Sequence, residues 1–165
     1  WQWLVLGRPT SYYYESPKLG SSGCIVKSCS EAILNIGNPA IWWAFIPAII
    51  VALLVLVLKR DWRFGALLVV FGAGYFPWFM YPNRTMFYFY ALSFEPFLIL
   101  LLAGVLGLAL SGARGSVLRA RLGVTLVAIY LVGVLVLSAY FMPLWTAQVI
   151  PYEQWYSHMW FKSWI

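Results

Sequence analysis

The sequence contains few charged residues. Asp, Glu, Lys and Arg make up 10% of its 165 residues, whereas 63% are hydrophobic and 19% are aromatic. A soluble domain is about one quarter charged and about half apolar. The composition therefore excludes an ordinary soluble domain and indicates an integral membrane protein.

Acidic residues and histidine are especially scarce, with five Asp and Glu in total and one His. The carboxylates expected to face the outside, Glu15, Glu31 and Glu153, are not spaced as a pair for acid–base catalysis, and His158 stands alone. The sequence has neither a phosphate-cradling glycine loop nor a cluster of metal ligands. We therefore expect neither a complete active site nor a metal site in this chain alone.

The start of the sequence lacks the basic and apolar segments of a signal peptide. A natural polypeptide does not begin at tryptophan without processing, and the first residue here is Trp1. We therefore expect the chain to be part of a longer one.

Four apolar segments are each near the length that a membrane-spanning helix needs. A backbone in lipid must satisfy its own hydrogen bonds, so these segments are predicted to be helices. The predicted fold is an all-α integral membrane module with four spans, at residues 39–58, 64–80, 86–110 and 122–142.

Basic residues predict the orientation of the spans. Six of the eleven cations lie in the first and last predicted loops. By the positive-inside rule these loops are cytoplasmic, so both termini are expected on the extracytoplasmic side. Aromatic residues near the opposite ends of the spans fit an interface belt. The six cations are Lys59, Arg60, Arg63, Arg114, Arg119 and Arg121, and the belt residues are Trp42, Trp43, Trp78, Tyr81, Trp145 and Tyr152.

The segments outside the four spans are predicted to lie on the outer side. Residues 1–38 are too polar to span and form an extracytoplasmic loop or interfacial segment. They contain Cys24 and Cys29, the only cysteines, for which a disulfide fits an oxidising location; two free thiols are the alternative. Residues 143–165 form a tryptophan-rich tail, which we expect to lie along the outer interface.

A polar face is predicted on the third span. In a continuous helix Arg84, Tyr88, Ala91 and Glu95 would share one side, with Glu95 roughly 16 Å below Arg84. A carboxylate at that depth normally faces protein or water rather than lipid. Glu95 would either pair with a group elsewhere in a longer protein or remain a neutral, hydrogen-bonded acid that locks the bundle. Pro96 would kink this helix.

Several short motifs follow one another in a recognisable order. Arg8-Pro9 and Tyr12–Tyr14 are followed by Gly37-Asn38-Pro39 with Trp42-Trp43, and then by Arg84-x-x-Phe87-Tyr88-x-Tyr90. Together with the topology, these motifs resemble the C-terminal four-helix membrane module of protein O-mannosyltransferases, especially the actinobacterial ones. The resemblance covers essentially the whole chain.

The resemblance implies a glycosyltransferase of the multi-spanning GT-C type. Such enzymes move mannose from polyprenyl-phosphate mannose to Ser or Thr of proteins emerging outside the cytoplasm. Their acidic catalytic residues lie in the N-terminal half, so this chain alone is expected to be inactive. The chain departs from the family pattern at three positions: Tyr90 replaces a common histidine, Ser93 replaces a common proline, and Glu95 is not a family signature.

The donor-binding prediction centres on Arg84, together with Tyr88 and Tyr90. A guanidinium at the depth of a lipid-linked phosphate can hold two of its oxygens. The alternatives are an arginine that snorkels to headgroups and tyrosines that pack between helices. Arg8, Tyr13 and Tyr14 are candidates for an acceptor or sugar groove, with interfacial anchoring as their alternative.

The sequence thus predicts the C-terminal part of a mannosyltransferase in the cell membrane. Implied partners are the N-terminal half of the enzyme, the lipid-linked donor, secreted or membrane acceptor proteins, the secretion translocon and membrane lipids, but not nucleic acid. Another GT-C enzyme of the cell envelope is one alternative. The other is a transporter or assembly subunit with an ion path along the Arg84–Glu95 face, although no inverted repeat is visible.

Overall fold

The computed structural model describes residues 2–81, 83–111 and 116–165, so the predicted loop cation Arg114 lies outside the described residues. Most of the described chain is helical. Its α-helices are α1 (Pro39–Lys59), α2 (Trp62–Tyr75), α3 (Glu95–Ser111), α4 (Val117–Trp145) and α5 (Tyr152–Ser157). Short 3-10 helices cover Gln2–Val5, Phe76–Met80, Tyr88–Ser93 and Lys162–Trp164.

Three helical segments within the described ranges are long and apolar enough to cross a membrane. They are α1, α2 continued by its 3-10 extension to Met80, and α4. The apolar helix α3 has 17 residues, or about 25 Å at 1.5 Å per residue, slightly less than a ~30 Å hydrocarbon core. α1 agrees with the predicted first span, whereas α4 extends beyond both ends of the predicted fourth.

The four long helices form an antiparallel bundle. Arg60 adopts a left-handed conformation with φ of 53°, and Asp61 caps α2, so the chain reverses directly after α1. Gly65 of α2 lies beside Leu56 of α1, and Gly123 of α4 lies beside the backbone of Ala109 in α3. The end of the bundle where α1 meets α2 and α3 meets α4 is called the loop end.

The prediction of a continuous third helix is wrong, because residues 86–110 do not form one helix. The chain is extended at Phe87, follows a 3-10 helix through Ser93, and becomes α-helical only from Glu95. Pro96 therefore lies in the first turn of α3, where its missing N–H is harmless, and it does not kink a helix. Arg84 precedes the helical region, so the predicted Arg84–Glu95 helix face does not exist.

A small antiparallel sheet makes the all-α prediction incomplete. β1 (Thr10–Glu15) pairs with β2 (Cys29–Asn35), with Thr10 opposite Asn35, and β2 pairs with β3 (Ile150–Pro151). β2 alternates buried and half-buried residues and packs against α4. The sheet covers the end of the bundle where α1 begins and α4 ends, called the sheet end.

The C-terminal tail folds back onto the sheet end. Trp164 is buried, and its Nε1 donates to the carbonyl of Leu6 at 2.6 Å. His158 is 1% exposed and stacks on Tyr140, with its ring nitrogens 2.6 and 2.7 Å from the carbonyl oxygens of Gln154 and Tyr140. The single histidine thus joins α4 to the tail.

Candidate functional site

Asn38 fixes the position of α1 at the sheet end. Its Oδ1 accepts the backbone N–H of Ala40 at 2.9 Å, which caps the helix. Its Nδ2 donates to the carbonyl of Val134 at 2.9 Å and to the Ser138 hydroxyl at 2.8 Å, both on α4. One buried amide therefore begins α1 and joins it to α4.

Gly37 and Trp42 form a close packing unit beside this cap. A Cβ atom at residue 37 would overlap the indole ring of Trp42, so only glycine fits. Trp42 is 2% exposed, and its ring centroid lies 5.0 Å from that of Tyr88. Trp42 is therefore a core residue and does not belong to the predicted aromatic belt. Its neighbour Trp43 is half-exposed and contacts the tail at Trp160 and Phe161.

An open cavity of about 610 Å³ lies at the sheet end and is called the arginine cavity. Arg8 and Arg84 supply its charges, and Thr10, Ser11 and Thr85 supply hydroxyls. The amides of Gln2 and Asn83 also line it, as do the apolar side chains of Trp3, Pro9, Met86 and Phe87. The volume lies within the range of about 300–1,000 Å³ that is common for small-molecule sites.

Arg8 is held in place by the turn that precedes it. Leu6 has a positive φ of 55°, and the N–H of Gly7 donates to the carbonyl of Gln2 at 3.0 Å. Trp3 anchors this turn in the core, with edge-on contact to Trp78 at 5.5 Å between ring centroids. The hydrogen bond from Trp164 to Leu6 secures it from the other side. The backbone that carries Arg8 is therefore fixed even though its side chain is exposed.

Arg84 reaches the cavity from the connection between α2 and α3. Its backbone N–H donates to the carbonyl of Tyr81 at 3.2 Å, which forms a turn. The N–H of Tyr88 donates to the Thr10 hydroxyl at 3.3 Å and so ties this connection to β1. The two arginines, far apart in sequence, thus reach the same cavity on segments that are joined directly.

The cavity has the chemistry of an anion site. Its lining contains two guanidinium groups and no carboxylate. The one ion pair among residues 2–81, 83–111 and 116–165 joins Arg63 to Asp61, at 3.8 Å. Neither Arg8 nor Arg84 is therefore neutralised by an acid of the described chain. Guanidinium groups bind phosphate and carboxylate oxygens in bidentate fashion, and the hydroxyls nearby can donate to the same group.

The predicted tyrosine partners of Arg84 do not line this cavity. Tyr88 is 5% exposed and packs on Trp42, so only its backbone takes part in building the site. Tyr90 stacks on Trp78 with ring centroids 4.6 Å apart. Both placements agree with the packing alternative for these residues. Trp3 and Phe87 supply the aromatic part of the wall instead.

Of the three residues predicted to form an acceptor groove, one lines the arginine cavity and two do not. Arg8 lines the cavity, whereas the Tyr14 hydroxyl lies 3.2 Å from that of Ser30 and its ring packs on Trp155. Tyr13 lies further along β1. Partial desolvation, with the charges of Glu15 and Glu31, raises the pKa of the Tyr13 phenol above its ordinary value.

Two further predicted features lie outside the cavity. Cys24 and Cys29 form a disulfide with a Cα–Cα distance of 5.9 Å, which ties the loop between β1 and β2 to the first residue of β2. Glu95 is half-buried in the first turn of α3. No group of three or more His, Cys, Asp or Glu side chains that could hold a metal ion is found in the part of the chain that the structure describes.

Helices able to cross a membrane, covered at one end by a sheet beside a cationic cavity, define a multi-pass membrane module. The chain belongs to the family described as the C-terminal four TMM region of protein-O-mannosyltransferase, which it matches over residues 1–164. The resemblance found in the sequence is therefore confirmed at the level of the family.

Similar proteins come from actinobacteria and are named polyprenol-phosphate-mannose–protein mannosyltransferase. Identity is 35% to that of Mycolicibacterium smegmatis and 33% to that of Mycobacterium tuberculosis, in each case over 99% of this chain. Identity to the Corynebacterium glutamicum protein is 34%. The chain spans 31% of the length of each of these relatives. No solved structure matches it.

Proposed function

We propose that this chain is the C-terminal membrane part of an enzyme that transfers mannose from polyprenyl-phosphate mannose to Ser or Thr of translocated proteins. The family and the names of the relatives support this assignment. The observation that carries it is the arginine cavity, where two unneutralised cations face one open space at the sheet end. Such a site suits the phosphate of a lipid-linked sugar.

The proposed topology has four spans in the cell membrane, with both termini outside the cytoplasm. Supporting it, the exposed cations Lys59, Arg60, Arg63, Arg119 and Arg121 all lie at the loop end, where the positive-inside rule favours the cytoplasm. The disulfide lies at the sheet end, as suits an oxidising compartment. In this proposal α3 completes the set of four as the third span, lengthened by the 3-10 helix that precedes it.

Arg84 is the proposed contact to the donor phosphate. It lies at the sheet end on the connection between α2 and α3, which the proposed topology sets near the lipid headgroups. It lines a cavity with room for a sugar phosphate. The rival ion path along an Arg84–Glu95 face loses its basis, because no helix joins these residues. Tyr88 and Tyr90 act through packing in this proposal.

The remaining parts of the reaction are assigned to partners. The N-terminal part of the enzyme would supply the catalytic acids, since the cavity lining has no carboxylate. Acceptor proteins would arrive outside the cytoplasm, in some cases from the secretion translocon. The proposal assigns neither a metal nor nucleic acid to this chain.

The test uses the full-length enzyme with Arg84→Ala and with Arg119→Ala as a matched control, because Arg119 is an exposed arginine at the loop end. Loss of a charged hydrogen bond, worth about 1.5–3 kcal/mol, should lower kcat/KM for the mannosyl donor about 10- to 150-fold. Arg84→Lys should restore only part of the activity, because an ammonium cannot bind in bidentate fashion.

Membrane-inserted protein levels measured in parallel separate this effect from a folding defect. Equal donor kinetics in wild type, Arg84→Ala and Arg119→Ala at equal protein levels would remove Arg84 from the donor site.

A further inference from the structure

We propose that Arg8 and Arg84 together hold the phosphate as it departs from the sugar, so that the site binds the dianionic product lipid phosphate more tightly than the donor. The inference rests on the proposed function and extends it to the charge state of the ligand. It also assigns to Arg8 a role in phosphate binding that the sequence pattern did not suggest.

Two features of the structure bring both guanidinium groups to one cavity. Both arginines line the same cavity, and the bond from Tyr88 N–H to Thr10 joins the segments that carry them. The side chains are exposed and free of acidic partners within the described residues, so their charges are available to a ligand. Thr10 and Thr85 also line the cavity, and their hydroxyl groups can donate to the same ligand.

The number of cations fits the product better than the donor. A sugar–phosphate–lipid is a phosphodiester with one negative charge, which a single guanidinium neutralises. The lipid phosphate left after transfer is a monoester with a charge of about −1.5 to −2 at pH 7. Two guanidinium groups match that dianion, and they match the charge that develops on the phosphate while it leaves.

The step itself balances without a cofactor. The bond from the mannose anomeric carbon to the phosphate oxygen breaks, and its electron pair stays on that oxygen. The acceptor hydroxyl oxygen forms the new bond to the anomeric carbon. Its proton passes to a carboxylate base of the N-terminal part of the enzyme. Arg8 and Arg84 are thus placed to stabilise the leaving group and not the nucleophile.

The test compares two constants in the full-length enzyme, namely KM for polyprenyl-phosphate mannose and Ki for polyprenyl phosphate as a product inhibitor. Wild type should have a Ki several-fold below its KM. Arg8→Gln and Arg84→Gln should each raise Ki at least about threefold more than KM, and the double variant should bring the ratio of Ki to KM near one. Arg119→Gln, at the loop end, should leave both constants unchanged.

The possible outcomes separate this inference from the proposed function. If Ki and KM rise by the same factor in each variant, or if Arg8→Gln has no effect while Arg84→Gln does, the inference is overturned and the donor site stands. If neither constant changes in folded, active variants, both the inference and the donor site are wrong.

A second measurement needs no variant. The second proton of a phosphate monoester is lost with a pKa of about 6, so the product gains charge between pH 5.5 and 7.5 whereas the donor does not. Ki for polyprenyl phosphate should therefore fall relative to KM by roughly fourfold over this range, because the dianionic fraction of the ligand rises by about that factor. A ratio that is independent of pH would overturn the inference.

Discussion

The two ends of the helical bundle use positive charge differently. At the loop end, Arg63 and Arg119 are exposed, and neither lines the arginine cavity. At the sheet end, Arg8 and Arg84 line a cavity of about 610 Å³ and extend from segments fixed by hydrogen bonds and buried tryptophans. Charge at the loop end suits orientation in the membrane, whereas charge at the sheet end suits a ligand.

The two ends of the bundle also differ in how their residues pack. The sheet end contains the buried polar residues Ser30, Asn38 and His158 and most of the buried tryptophans. At the loop end the helices approach one another at glycines. Gly65 lies beside the Leu56 side chain, and Gly123 lies beside the backbone of Ala109. A site that must hold a ligand in a defined position needs side chains fixed by packing and hydrogen bonds, which the sheet end provides.

The largest expected effect on folding is at Gly37. In Gly37→Ala the new methyl group would overlap the Trp42 ring, which is itself enclosed by Phe45 and Tyr88, so the packing must rearrange. We expect a loss of about 3 kcal/mol or more in stability. The matched change Gly107→Ala on α3 meets no atom within 4 Å and should be neutral or slightly stabilising. Thermal unfolding of the full-length enzyme in detergent measures both, and equal midpoints would contradict the packing account.

A smaller difference is expected between the two helix caps. Asn38 caps α1 and also donates to Val134 and Ser138, whereas Asp61 caps α2 through Arg63 N–H at 3.1 Å and otherwise has only its ion pair with Arg63. Asn38→Ala should therefore cost about 2–3 kcal/mol and Asp61→Ala about 0.5–1 kcal/mol.

Asn38→Ser supplies the control for this comparison, because serine keeps a capping oxygen but cannot reach as far as the Asn38 amide. Its midpoint of thermal unfolding should lie between those of wild type and Asn38→Ala. If Asn38→Ala and Asp61→Ala lower the midpoint equally, the link between α1 and α4 contributes nothing measurable.

Much of the helical architecture could be predicted, because long apolar runs have few alternatives in a membrane. α1 was predicted within one residue, and its start follows from the capping sequence Asn38-Pro39. The sheet was missed, although the alternation along β2 and the turn residues Gly20 and Gly23 were signals for a hairpin. β3 has two residues and gives no signal of its own.

The predicted third span shows where the helical spacing of polar residues misleads. The spacing of Arg84, Tyr88 and Glu95 fits a helix, yet the chain is extended at Phe87 because Tyr88 N–H bonds to Thr10 on β1. Pro96 suits the start of a helix, and this was the local signal that α3 begins there. The meeting of Arg8 with Arg84 depends on tertiary packing across most of the chain, which no local pattern encodes.

The most direct test of the account is the equilibrium dissociation constant of polyprenyl-phosphate mannose for the purified full-length enzyme, measured without acceptor. Arg84→Gln should raise this constant several-fold, and Arg119→Gln should leave it within about twofold of wild type, because an exposed arginine without a ligand contributes little. Equal dissociation constants for the two variants would contradict the claim that the sheet end binds the donor phosphate.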